Sequence, residues 1–129
     1  MSGRLDGKVC LITGAGSGMG RLAAQVFAQE GARVVAMDLQ ADSVRETVAS
    51  VEKKRGKALA VAGDVSKESD VTAAVEQAVK SFGGLDVLYN NAGIFPADDH
   101  SVIDTAETVW DKVFAVNVKG VYLVCKHGI

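Results

Sequence analysis

The sequence has 129 residues, a formal net charge of −2 and 48% hydrophobic content. That length holds one domain, the hydrophobic share excludes a disordered chain, and interspersed acids and bases leave no basic face for nucleic acid. No apolar run reaches bilayer-spanning length, and the opening "MSGRLDGK" lacks an apolar signal region.

Four short apolar runs predict strands: "VCLIT" (9–13), "RVVAM" (33–37), "ALAVA" (58–62) and "LDVLY" (85–89). They are rich in β-branched residues and mostly do not alternate with polar ones, as in a parallel sheet covered on both faces. Between them lie helical patterns. Val44, Val48 and Val51 recur at helical steps, and so do Val71, Ala74, Val75, Ala78, Val79 and Phe82. Gly31, Gly56 and the pair Gly83–Gly84 each precede a strand, where glycine suits the left-handed residue that closes a helix. A fourth helical segment runs from about Thr105 to the end, after a loop that holds the only proline, Pro96. Cys10 and Cys125 sit inside apolar runs and read as small buried hydrophobes rather than a disulfide or metal set, which suits a reducing cytoplasm. The repeated strand–helix–strand unit predicts an α/β fold with a doubly wound parallel sheet of the Rossmann type, spanning residues 1–129.

The stretch "TGAGSGMG" (13–20) joins the first strand to the first helix, where such folds seat a nucleotide pyrophosphate. Free N–H groups and the positive helix end favour an anion there. The G-x-G-x-x-G pattern does not fit, because its last position falls on Met19 or Arg21. The spacing that fits is T-G-x-x-x-G-x-G, with Thr13, Gly14, Gly18 and Gly20; Gly16 is then an extra small residue, not a required one. Asp38 ends the second strand, where a carboxylate accepts ribose hydroxyls and repels a 2′-phosphate. Leu39 follows it, and no Arg or Lys lies between Gly14 and Gly20. These features predict NAD over NADP, with Arg21 and Arg33 left as alternative phosphate partners. Asn117 lies on or beside an apolar helical stripe of Val113, Gly120 and Val124, where a buried amide needs partners.

The set "TGAGSGMG", Asp38, "DV" (64–65), "NNAG" (90–93) and "VNVKG" (116–120) resembles the classical short-chain dehydrogenases/reductases across essentially the whole chain. The resemblance implies hydride transfer between a nicotinamide and a small alcohol or carbonyl substrate. It implies that Gly14, Ser17, Gly18 and Met19 line the pyrophosphate and ribose, that Asp64 and Val65 contact the adenine, and that Asn91 and Gly93 pass beside the adenosine half. Asn117 would disturb its helix and hold a water in a proton relay to the catalytic lysine. The family's Ser and Tyr-x-x-x-Lys lie beyond a fifth strand. The "YLVCK" at 122–126 is a decoy, because it falls in the same helical segment as Asn117, with Lys126 pointing to water. The sequence therefore matches the family's cofactor-binding half, with a homotetramer or homodimer implied for a full-length member. Catalytic silence and aggregation are expected of these residues alone. The alternatives are a truncated chain that only binds nucleotide or pairs with other subunits, and a Rossmann-like methyltransferase, against which "NNAG" and "VNVKG" weigh. His100 and His127 read as surface residues, and Trp110 as packing the fourth helix.

Overall fold

In the computed structural model, which describes residues 3–129, four parallel strands form one sheet. They are β1 (Val9–Thr13), β2 (Arg33–Asp38), β3 (Lys57–Ala62) and β4 (Val87–Tyr89), in the order β3-β2-β1-β4. Helix α1 (Gly18–Gln29) connects β1 to β2, α2 (Ala41–Lys53) connects β2 to β3, and α3 (Glu68–Phe82) connects β3 to β4. After β4 come α4 (Glu107–Phe114), a π-helical turn (Ala115–Lys119) and α5 (Gly120–Gly128), which follow one another without a break. The order reverses between β1 and β4, so the carboxyl ends of those two strands open onto the switch point of the sheet.

Period-two alternation divides the core into two layers. Leu11, Val35 and Met37 face one way and pack with Val71, Ala74 and Ala78 of α3 and with Leu123 and Val124 of α5. Cys10, Ile12, Val34 and Ala36 face the other way, against Ala24 of α1 and Val44 and Val51 of α2. β1 is buried along its length and β2 from residue 34 to 37, whereas β3 and β4 are mostly half-buried, so coverage of both faces holds only for the middle of the sheet. Burial, with the nearby Asp86 charge, pushes the Cys10 thiol up to about 11, which leaves it an inert core residue. Cys125 is only half-buried and accepts a 3.6 Å contact from Asn90 Nδ2; both cysteines are free.

Several expected boundaries move for local reasons. β4 begins at Val87 rather than 85, because Asp86 is already engaged: its N–H donates to Val9 O at 2.8 Å and its Oδ2 accepts Val9 N–H at 2.9 Å. Gly31 and Gly83 take the expected left-handed conformation, with φ of 94° and 85°. At the end of α2, however, that conformation falls on Arg55, not Gly56. Gly56 serves packing instead, since a Cβ there would come within 2.7 Å of Val51 Cγ1 and 3.0 Å of Ala28 Cβ. Lys126 and His127 do not simply point to water. Glu68, the first residue of α3, takes His127 Nε2 at 2.9 Å and Lys126 Nζ at 3.5 Å on the same carboxylate oxygen, tying α5 to α3.

Two predictions follow from these contacts. Gly31→Ala combines a positive φ with a Cβ 2.8 Å from Asp6 Cα, so chemical denaturation should show a loss of about 1–3 kcal/mol. The hydrogen bond from His127, and then the charge of Lys126, hold the Glu68 carboxyl below its usual value. A depressed carboxylate stabilises above its unfolded pKa and loses that contribution as pH falls through the lower folded value. The stability gap between wild type and Glu68→Gln should therefore be present at neutral pH and close on acidification towards pH about 3.

Candidate functional site

A cleft of 620 Å³ lies at the carboxyl ends of the strands, beside the switch point. Its floor is the loop that follows β1. Gly14 and Gly18 both have positive φ, at 64° and 55°. A Cβ on Gly18 would meet nothing within 4 Å, so the backbone there faces open space at the N-terminus of α1. The first N–H groups of a helix have no intrahelical acceptor, and the Ser17 side chain makes no capping hydrogen bond. Those donors and the positive end of α1 point to an anion.

The loop is held in shape from three sides. The buried Thr13 hydroxyl accepts the N–H groups of Asn91, at 3.1 Å, and Ala92, at 3.0 Å. Asn91 Nδ2 donates to Gly14 O at 3.2 Å. Ala15 N–H donates to Met37 O at 3.0 Å, across to the end of β2. Gly20 lies beneath the loop, where any Cβ would overlap the Gly14 carbonyl oxygen; it lets α1 close against β1 and does not line the cleft.

Asp38 stands on the cleft wall with its carboxylate fixed by two backbone donors. Gly16 N–H reaches Oδ2 at 2.9 Å and Gln40 N–H reaches Oδ1 at 2.9 Å. This corrects the expectation that Gly16 is dispensable. A Cβ at Gly16 would sit 2.8 Å from the Asp38 carboxyl carbon and 2.9 Å from Ser43 Cβ. Arg21 is engaged with Gly16 O, Ser43 O and Thr47, and Arg33 starts β2, about 17 Å of strand away from Asp38 at its end.

Beside Asp38, just past the end of the neighbouring β3, Asp64 Oδ1 accepts the Ser66 hydroxyl at 2.6 Å and its N–H at 2.9 Å. Partial burial pushes the Asp64 carboxyl up, but these bonds and the charges of Lys67 and Lys112 outweigh it and hold the group below the usual carboxylate range. Ten of the residues predicted from sequence line this one cleft: Gly14, Ser17, Gly18, Met19, Asp38, Leu39, Asp64, Val65, Asn91 and Gly93. Met19 and Leu39 hold large apolar side chains in solvent at its rim.

Asn117 lies beside the cleft rather than in its lining, within the π-helical turn. A π turn at this position bears out a disturbed helix and often accompanies a functional site. Its amide is satisfied by backbone: Oδ1 accepts Ile94 N–H at 2.8 Å and Nδ2 donates to Ile94 O at 2.9 Å. Ile94 was not singled out in the sequence, because an apolar residue after "NNAG" carries no chemical signal of its own. Trp110 stacks on Phe114, with centroids 4.1 Å apart, yet is 54% exposed, so it packs along its own helix and not into the core. Among the described residues no helix is long and apolar enough to cross a membrane.

Sheet order, switch point and glycine loop together define a Rossmann-type α/β protein. A family model described as short chain dehydrogenase matches residues 8–129. The chain is 44% identical over 124 residues to an uncharacterized oxidoreductase of Thermotoga maritima, covering 96% of this chain and 48% of that protein. It is 42% identical over 121 residues to the 3-oxoacyl-(acyl-carrier-protein) reductase of the same organism, covering 94% and 48%. Among solved structures, the 3-ketoacyl-(acyl-carrier-protein) reductase of Brucella melitensis complexed with NADH superposes with a TM-score of 0.87 at 45% identity, covering 95% of this chain and 48% of that one. An NAD+-bound xylitol dehydrogenase superposes at 0.91 with 34% identity, covering 97% and 48%. The chain belongs to the classical short-chain dehydrogenase/reductase family, a family of oxidoreductases. It spans about half the length of the relatives it matches.

The clamp on Ile94 has a measurable consequence. Asn117→Ala leaves a backbone N–H and C=O without their side-chain partners, at a cost of about 1–3 kcal/mol. Hydrogen exchange at the Ile94 amide should accelerate at least about tenfold in the variant. An unchanged exchange rate would show that the clamp does not form.

Proposed function

We propose that this chain forms the NAD-binding part of an enzyme that transfers hydride between nicotinamide C4 and an alcohol or carbonyl carbon. The observation that carries the reading is the Asp38 carboxylate on the cleft wall, held by Gly16 and Gln40 N–H. Each oxygen keeps acceptor capacity for a ribose hydroxyl, and the charge opposes a 2′-phosphate. The open backbone at Gly18 and the donors at the start of α1 suit a pyrophosphate.

When bound, the dinucleotide supplies or accepts the hydride. This chain's residues bind and orient it: Gly14, Ser17, Gly18 and Met19 at the pyrophosphate and ribose, with Gly20 allowing α1 to approach. Leu39, Asp64 and Val65 border the adenine side, and Asn91 and Gly93 pass the adenosine half. Asn117 takes part in proton transfer by family likeness, and its hold on Ile94 fixes the loop that borders that path. NAD is favoured by two solved relatives, one complexed with NADH and one bound to NAD+. The substrate is a small alcohol or carbonyl compound. The exposed Trp110, Phe114 and Tyr122 of α4 and α5 suit pairing into a homodimer or homotetramer, and two free cysteines suit a reducing cytoplasm.

The test is a calorimetric titration of the purified protein with NAD and, separately, NADP. NAD should bind at least about tenfold tighter, and Asp38→Ala should weaken NAD by about tenfold or more while relieving the penalty on NADP. Equal affinities, or binding of neither, would overturn the reading.

A further inference from the structure

The peptide unit between Ala15 and Gly16 is gripped at both ends. Its N–H donates to Asp38 Oδ2 at 2.9 Å, and its C=O accepts the Thr47 hydroxyl at 2.7 Å. Thr47 comes from α2 and is fully buried. The same hydroxyl accepts Arg21 Nε–H at 2.9 Å; of its two acceptors, Ala15 O at 2.7 Å is nearer than Ser43 O at 3.2 Å and takes the shorter hydrogen bond. The Arg21 Nη2 continues to Gly16 O, at 2.7 Å, and Ser43 O, at 3.0 Å. A guanidinium, a hydroxyl, a peptide and a carboxylate thus form one chain of hydrogen bonds. In a low-dielectric setting each bond polarises the next.

We propose that Thr47 and Arg21 are positioning residues for nucleotide recognition, setting the Ala15–Gly16 peptide so that its N–H holds Asp38 in the orientation that selects a ribose diol over a 2′-phosphate. This inference rests on the proposed NAD site. Thr47 touches no ligand under it; it acts through the peptide. Without the hydroxyl, Ala15 O and Arg21 Nε lose their shared partner, the carbonyl end of the peptide is no longer fixed, and the N–H that anchors one Asp38 oxygen is less firmly placed. Gly16 completes the arrangement, because only a residue without Cβ lets Asp38 lie against the loop.

The experiment measures dissociation constants for NAD and NADP in wild type, Thr47→Val, Thr47→Ser, Asp38→Ala and the Thr47→Val/Asp38→Ala double variant. Thr47→Val should raise the NAD constant about tenfold and leave that for NADP within about twofold, so the preference falls about tenfold. Thr47→Ser keeps the hydroxyl and should recover the preference. In the Asp38→Ala background, Thr47→Val should have little further effect on NAD, since both act on one contact. A merely structural Thr47 would lower thermal stability and weaken both nucleotides equally. Should the buried substitution prevent folding, Arg21→Met on a half-exposed side chain carries the same expectation. An unchanged NAD-to-NADP ratio in a wild type that binds NAD, or additive effects in the double variant, overturns this inference alone. A wild type that binds neither nucleotide overturns the proposed function with it.

Discussion

The cleft depends on one hydroxyl at the end of the central strand. β1 and β4 are neighbours, but the chain leaves them in different directions, into α1 and into the loop towards α4. That divergence opens the crevice, and it also leaves backbone N–H groups of both loops in need of acceptors. Thr13 answers the need by accepting Asn91 and Ala92 together, with its own side chain almost wholly buried. Asn91 then reaches back to Gly14, and Ile94, further along the same loop, is held by Asn117. The loop after β4 is therefore pinned at its start by β1 and, a few residues on at Ile94, by the π turn. That loop is tied down by neutral hydrogen bonds from short side chains, which place backbone accurately at little entropic cost.

Much of this was legible in the sequence because the fold's strongest signals are local. Unbroken β-branched runs marked the strands, valines at helical steps marked α2 and α3, and the glycine loop fell where strand met helix. The resemblance added Asp64, Val65, Asn91 and Gly93, which line the same cleft as the loop and Asp38. What escaped depends on contacts between residues far apart in the chain. Gly16 looked optional because its reason lies 22 positions away, in the volume of the Asp38 side chain. Lys126 and His127 looked like solvent residues because Glu68, 59 positions from His127, cannot be paired with them by periodicity. The shortening of β4 turned on Asp86 replacing a ladder acceptor, which no strand propensity encodes.

The π turn stands between these cases. Asn117 was conspicuous as a poor helix former on an apolar stripe, yet its effect on the backbone could not be read from spacing. The amide satisfies both polar groups of Ile94, and one inserted residue in the helix is what turns the side chain towards that loop. Immediately after the turn, Gly120 lets α5 settle on Val65, since a Cβ there would lie 2.7 Å from Val65 Cγ2. The helix thus gives up regularity over five residues and recovers packing at once on the strand-three side of the cleft.

Selectivity for a nucleotide is usually sought in the residue that meets it, but a carboxylate is only as selective as its placement. A free Asp38 side chain could rotate away from a bulky anion, and charge repulsion would fall with distance and with screening by salt. Two backbone donors remove that freedom by occupying one lone pair on each oxygen while leaving the others for hydroxyls. One of those donors belongs to the glycine loop, which also faces the proposed pyrophosphate site. Any movement of the loop is therefore felt at Asp38. The buried Thr47 and the chelated Arg21 hold that shared peptide from behind, out of reach of the ligand. The Asp38 carboxylate and the open backbone at the start of α1 are in this way parts of one hydrogen-bonded unit, and the packing of α2 against α1 bears on both.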